Sequence, residues 1–172
     1  TDLFEVDCTN VGTKRTPLDK PTGPETYMSG NIAHYFGWPN EVMDFAMIGG
    51  NLLTDGLDML ISSSILFEEN RQMHQTSPEQ YLQRVAKSTG MNTYAITEQY
   101  EDYGIQHVDC IMKVVDEDTF LIAEPPQDHP YYDRIEAIIN NTIRKMRNFY
   151  GKPYNIVRYK TNRYNGDELA AY

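Results

Sequence analysis

The run HVDC, His107 to Cys110, places an imidazole and a carboxylate two residues apart at the start of a stretch that otherwise reads as apolar strand, Tyr103–Val115. Successive side chains of a strand point to opposite faces, so His107 and Asp109 are expected on one face, and Val108 and Cys110 on the other. Two chemistries suit such a pair. One is ligation of a divalent ion, which needs a third and preferably a fourth ligand. His34, His74 and His129 stand at no matching spacing, so no metal is expected. The other is acid–base work on a cationic substrate. A carboxylate holds an ammonium or guanidinium through charge-assisted hydrogen bonds, bidentate in the guanidinium case. A neighbouring imidazole moves the proton, because its pKa lies near working pH. A buried His–Asp pair of purely structural purpose accounts for the same two residues.

A second stretch with chemical content is IGGNLLTDG, Ile48–Gly56. Paired glycines let backbone approach a ligand or another strand closely. Asn51 and Asp55 set an amide and a carboxylate beside them. The same residues also read as a loop with a bulge and an Asp-Gly turn.

The pattern around these stretches predicts the elements that carry them. Thr1–Thr9 reads as a strand, and a polar loop follows to Pro24. A helix is predicted over Pro24–Phe36, with Gly37 just past its end. Asp44–Gly50 and Met59–Phe67 read as strands separated by the turn-rich Asn51–Asp58. Ser77 is the N-cap of a helix, with Gln80 as its capping-box partner. Tyr81, Leu82, Val85 and Ala86 fall at helical spacing, Gly90 ends the helix, and Asn92–Tyr100 reads as a strand. The order then repeats. His107–Val115 is a strand, Asp116–Thr119 a turn, and Phe120–Glu124 a strand. A helix over Tyr131–Tyr150 has Ile135, Ile138, Ile139, Ile143 and Met146 as its buried stripe, and Tyr154–Thr161 is the closing strand. The result is β-β-α-β twice, at a period of about 60 residues, the signature of repeated units that need neighbours. The expected division is 1–40 as the end of one module, 41–100 as a second and 101–172 as a third, without a linker domain. No terminal element is predicted in Asn162–Tyr172.

Composition narrows the function classes. A chain of 172 residues suits one domain with a real core. Its net charge of −10 argues against a nucleic-acid partner. No apolar run is long enough to span a membrane, and no charged-then-apolar leader is present, so a soluble protein is expected, cytoplasmic or secreted. Cys8 and Cys110 lack metal-ligand spacing and assign no compartment.

GGNLLTDG followed in the next repeat by GIQHVDC, within β-β-α-β units, resembles the bacterial Porphyromonas-type peptidylarginine deiminase and agmatine deiminase family. The closing GDELAAY is similar to a stretch of that family too. These are guanidino-modifying enzymes of the pentein fold, an α/β-propeller of β-β-α-β modules about a pseudo-fivefold axis, of which this chain would hold about half. The resemblance implies hydrolysis of a guanidinium to a ureido group with release of ammonia and no cofactor. The substrate would be peptidyl-arginine, giving peptidyl-citrulline, or agmatine, giving N-carbamoylputrescine. In the family a cysteine attacks the guanidinium carbon, a carboxylate pair grips its nitrogens, and a histidine protonates the departing amine and then activates water. His107 matches that histidine and Asp109 the second guanidinium-binding aspartate. Gly49, Gly50 and Asn51 match the family's turn at the floor of the site, Ile105 lies where the family lines its substrate channel, and Arg15 lies in the loop where peptidylarginine deiminases of this type place arginines that bind a substrate's C-terminal carboxylate.

The sequence also departs from the family pattern. Agmatine deiminases usually carry a glutamate directly before the paired glycines; Ile48 stands there, and GGN…TDG without that acid looks more like the peptidylarginine type. The family's Arg-Asp motif and its cysteine in a Gly-rich motif do not occur in these residues. Cys110, expected on the face opposite His107 and Asp109, is not expected to replace that cysteine. The segment is therefore expected to be inactive alone and to work with the remaining modules of the same protein. Two other readings of the pair remain: a non-catalytic guanidine- or arginine-binding homologue, and a metal-dependent hydrolase.

Overall fold

The computed structural model describes residues 3–5, 28–42, 45–47, 49–102, 106–161, 163–164 and 168–169. Strand β1 (Leu3–Glu5), helix α1 (Met28–Phe36) and strand β2 (Asn40–Val42) come first, with β1 and β2 paired in parallel. Gly37, at φ +67°, ends α1 as expected. Its N–H donates to the His34 carbonyl, and the Trp38 N–H to that of Ala33, a close that needs the left-handed backbone glycine adopts freely.

Two three-stranded sheets follow with one topology. In the first, β3 (Leu53–Thr54) is antiparallel to β4 (Met59–Ser63), which is parallel to β5 (Thr93–Thr97). A parallel neighbour requires a crossover, made here by α2 (Ile65–His74) and α3 (Pro78–Thr89). In the second, β6 (Met112–Asp116) is antiparallel to β7 (Thr119–Glu124), which is parallel to β8 (Asn155–Lys160), with α4 (Tyr132–Asn141) crossing between them. The pair β9 (Arg163–Tyr164) and β10 (Glu168–Leu169) is antiparallel, an element the sequence pattern does not predict.

Every residue of β4 is buried, as befits a strand covered on both faces. Met59 and Ile61 join the larger core with Val108, Met112, Phe120, Ile122, Ile135 and Ile139. Leu60 joins a smaller one with Phe45, Leu66, Tyr81 and Val85 under α2 and α3. The capping box of α3 is present in full. Ser77 Oγ accepts from the Gln80 N–H, and Gln80 Oε1 accepts from the Ser77 N–H.

Three expected elements differ. Met59–Phe67 is a strand only to Ser63, after which α2 begins at Ile65. The buried face of α2 includes Glu69 and Asn70, so its apolar stripe is interrupted and the helical period does not register. Asp44–Gly50 is not a strand where it is described. The Ala46 N–H donates to Asn70 Oδ1, and Asn70 Nδ2 donates to the Ala46 and Leu66 carbonyls, so this segment is clamped to a helix instead of a ladder. Helix α4 stops at Asn141, and Ile143–Lys145 continues as a 3-10 turn. The run Asn140-Asn141-Thr142 is weak in helix propensity. Ile143 nevertheless stays fully buried, and Met146 packs on the same core. Among the described residues no helix is long and apolar enough to cross a membrane.

Candidate active site

A short 3-10 turn precedes the first strand of each sheet, Gly49–Asn51 before β3 and Val108–Cys110 before β6, and the two turns lie against each other. His107 and Asp109 are therefore not on a strand. His107 is the extended residue that opens the second turn (φ −81°, ψ 145°), and the strand begins only at Met112. The Cys110 N–H donates to the His107 carbonyl and the Ile111 N–H to the Val108 carbonyl, closing the i→i+3 turn. Burial of Val108 in the core drives this local form over the strand that propensity favours.

The convergence expected from strand alternation is reached by tertiary contact. A Cβ built on Gly50 would lie 2.9 Å from His107 Nδ1, 2.9 Å from Asp109 Oδ2 and 3.2 Å from Asp109 Oδ1. The imidazole and the carboxylate thus meet over one glycine. Any side chain there would force the imidazole and the carboxylate to move. Among the described residues nothing lies within 4 Å of where a Cβ on Gly49, next door, would be. His107 is buried and Asp109 about one-fifth exposed.

Asn51 holds the two turns in register. Its side chain is fully buried. Oδ1 accepts from the Val108 N–H at 3.1 Å and the Ser63 N–H at 3.0 Å, while Nδ2 donates to Ser63 Oγ at 2.9 Å. One amide therefore ties the Gly50 turn, the end of β4 and the His107–Asp109 turn together. Asp55, by contrast, serves its own loop. Oδ1 accepts from the Leu57, Asp58 and Met59 N–H groups and Oδ2 from the Tyr154 hydroxyl at 2.8 Å. Burial alone would raise its carboxyl pKa. The hydrogen bonds from Leu57, Met59, Tyr154 and Asp58 outweigh that and hold it below the ordinary value.

Three neighbours of the pair escape sequence reasoning. Gln106 precedes His107 at φ +58°, a left-handed backbone rare for a side-chain-bearing residue, and its N–H donates to Glu101 Oε1. Lys113 Nζ lies 3.7 Å from Asp109 Oδ2. Cys110 Sγ donates to Asp109 Oδ1 at 3.8 Å and so reaches the pair it was expected to turn away from, while also packing on the core. Four residues of a strand span about 13 Å. Only the turn brings Lys113 back to Asp109. Ile105 and Arg15, like Ile48 and Cys8, lie outside the described residues. Among the described residues no group of three His, Cys, Asp or Glu is placed to hold a metal. A broad hollow of about 750 Å³ is lined by Phe67, Arg71, Thr76, Pro78 and Gln99 among others, and neither His107 nor Asp109 belongs to it.

Residues 13–171 match the family of Porphyromonas-type peptidyl-arginine deiminases. The chain belongs to this family. Solved structures of similar fold include a protein of Porphyromonas gingivalis assigned as an arginine deiminase, at TM-score 0.71 and 20% identity over 86% of this chain and 47% of that one. The agmatine deiminase of Enterococcus faecalis matches at TM-score 0.75 and 12% identity over 92% of this chain and 44% of that one. A substrate-bound agmatine deiminase of C. jejuni matches at TM-score 0.65 and 12% identity over 87% and 46%. This deiminase-family chain has the α/β pentein fold and spans just under half the length of each of these proteins.

Proposed function

We propose that these residues supply one part of a site that hydrolyses a guanidinium to a ureido group, taking up water and releasing ammonia. Asp109 anchors the planar cation through its carboxylate. His107 donates a proton to the departing nitrogen and then takes one from the water that completes hydrolysis. Gly50 forms the floor, and its missing side chain lets the backbone come within reach of both groups. Asn51 contributes by positioning, since its amide is occupied within the protein. The observation that carries this reading is the meeting of His107 Nδ1 and Asp109 Oδ2 over Gly50 in a chain of this family.

The nucleophilic thiol and the second carboxylate would come from further modules of the same protein, and the 172 residues alone would be inactive. The modular division at 1–40, 41–100 and 101–172 belongs to the same proposal. It is supported by the shared topology of the two sheets. Peptidyl-arginine is the favoured substrate, because Ile48 stands where agmatine deiminases usually carry a glutamate. Arg15 would then receive a C-terminal carboxylate and Ile105 line the channel.

The test is turnover by the whole protein, comparing citrulline formed from a peptide ending in arginine with ureido product formed from agmatine. The peptide should be the better substrate, and His107→Ala should abolish turnover. Full activity in His107→Ala would remove His107 from the mechanism.

A further inference from the structure

Asp109 already has a cation beside it. Lys113 Nζ stands 3.7 Å from Oδ2, beyond hydrogen-bond length, so charge alone holds the ammonium there. The Lys113 side chain is 42% exposed and free to swing into water. Among the described residues the other oxygen, Oδ1, accepts from the Cys110 thiol at 3.8 Å, a weak donor. Both oxygens thus carry weak resident contacts. A guanidinium forks onto a carboxylate through two parallel N–H···O bonds and needs both oxygens at once.

We propose that Lys113 is a resident counter-ion of Asp109 that the substrate guanidinium must displace, and so a residue that sets substrate affinity. The proposal rests on the deiminase reading above and adds to it a determinant of KM. Before binding, the ammonium offsets the charge of a partly buried carboxylate. On binding, the guanidinium takes both oxygens and the flexible lysine moves to solvent. An exposed ion pair of this kind is weak, so its removal should tighten binding modestly, by about two- to fivefold.

The test compares wild type, Lys113→Met and Lys113→Arg in the whole protein at low and high ionic strength. Steady-state kinetics are followed on the arginine peptide and on agmatine, and binding of agmatine by calorimetry. Lys113→Met should lower KM and Kd about two- to fivefold at low salt, with a smaller change in kcat, and the advantage should shrink at high salt. Lys113→Arg, which keeps the cation, should not tighten binding. Unchanged or raised KM and Kd in Lys113→Met would overturn the displacement idea while leaving the deiminase reading intact. A wild-type protein that neither binds nor turns over either guanidine would bring down both.

Discussion

Gly50→Ala is the smallest change that reaches the centre of the proposed site. The added methyl would stand 2.9 Å from both His107 Nδ1 and Asp109 Oδ2, closer than a carbon tolerates, and 3.2 Å from Asp109 Oδ1, a tight contact. The backbone cannot easily retreat, because Asn51 is fastened to Ser63 and Val108 by three hydrogen bonds. The clash must be relieved by the imidazole and the carboxylate. Both are side-chain ends and can turn, so the stability cost should sit near the low end for overpacking, about 1 kcal/mol. Activity should suffer far more, since displacement of reacting groups by an ångström costs on the order of 100-fold. The assay is kcat/KM of the whole protein beside its melting temperature. Expected values are a fall of about 10- to 100-fold and a drop of about 2–4 °C. Gly49→Ala supplies the control, because its Cβ meets none of the described residues within 4 Å. It should cost at most about twofold in kcat/KM, well below the loss expected for misplaced reacting groups. A folded Gly50→Ala with wild-type kcat/KM would refute the claim that catalysis takes place over this glycine.

Two further predictions concern the frame. Asn51→Leu, similar in volume, would leave the Val108 and Ser63 N–H groups buried without their acceptor. It should cost about 3 kcal/mol in denaturant unfolding, with loss of activity to match. Asp55→Asn tests the loop below. Because the folded carboxyl has its pKa held below 3.8, ionised Asp55 stabilises the protein above that pH, and the contribution disappears as pH falls through the folded value. The variant should be about 1 kcal/mol less stable at pH 7, and the gap should close under acid conditions. A gap independent of pH would mean that charge plays no part.

The residues of the candidate site were more legible in the sequence than their backbone. His107, Asp109 and Gly50 stand out by residue type, and the structure brings these three together. The strand drawn through them is a 3-10 turn instead, because Val108 is drawn into the core and its N–H is taken by a side chain 57 residues away. That same turn hid Lys113. Local punctuation read well where a single residue controls the backbone, as with Gly37, Gly90 and the Ser77–Gln80 box. Helix α2 did not, because Glu69 and Asn70 occupy its buried face. Asn51 looked like a group facing substrate. Its real partners lie on β4 and on the second turn, and no spacing rule connects those segments.

The most direct measurement is a crystal structure of the whole protein, as the His107→Ala variant, with an arginine peptide bound. The guanidinium nitrogens should lie within hydrogen-bond distance of both Asp109 oxygens, above Gly50, with Lys113 turned away to solvent. A guanidinium held elsewhere, with Asp109 still facing Lys113, would contradict the assignment of this site.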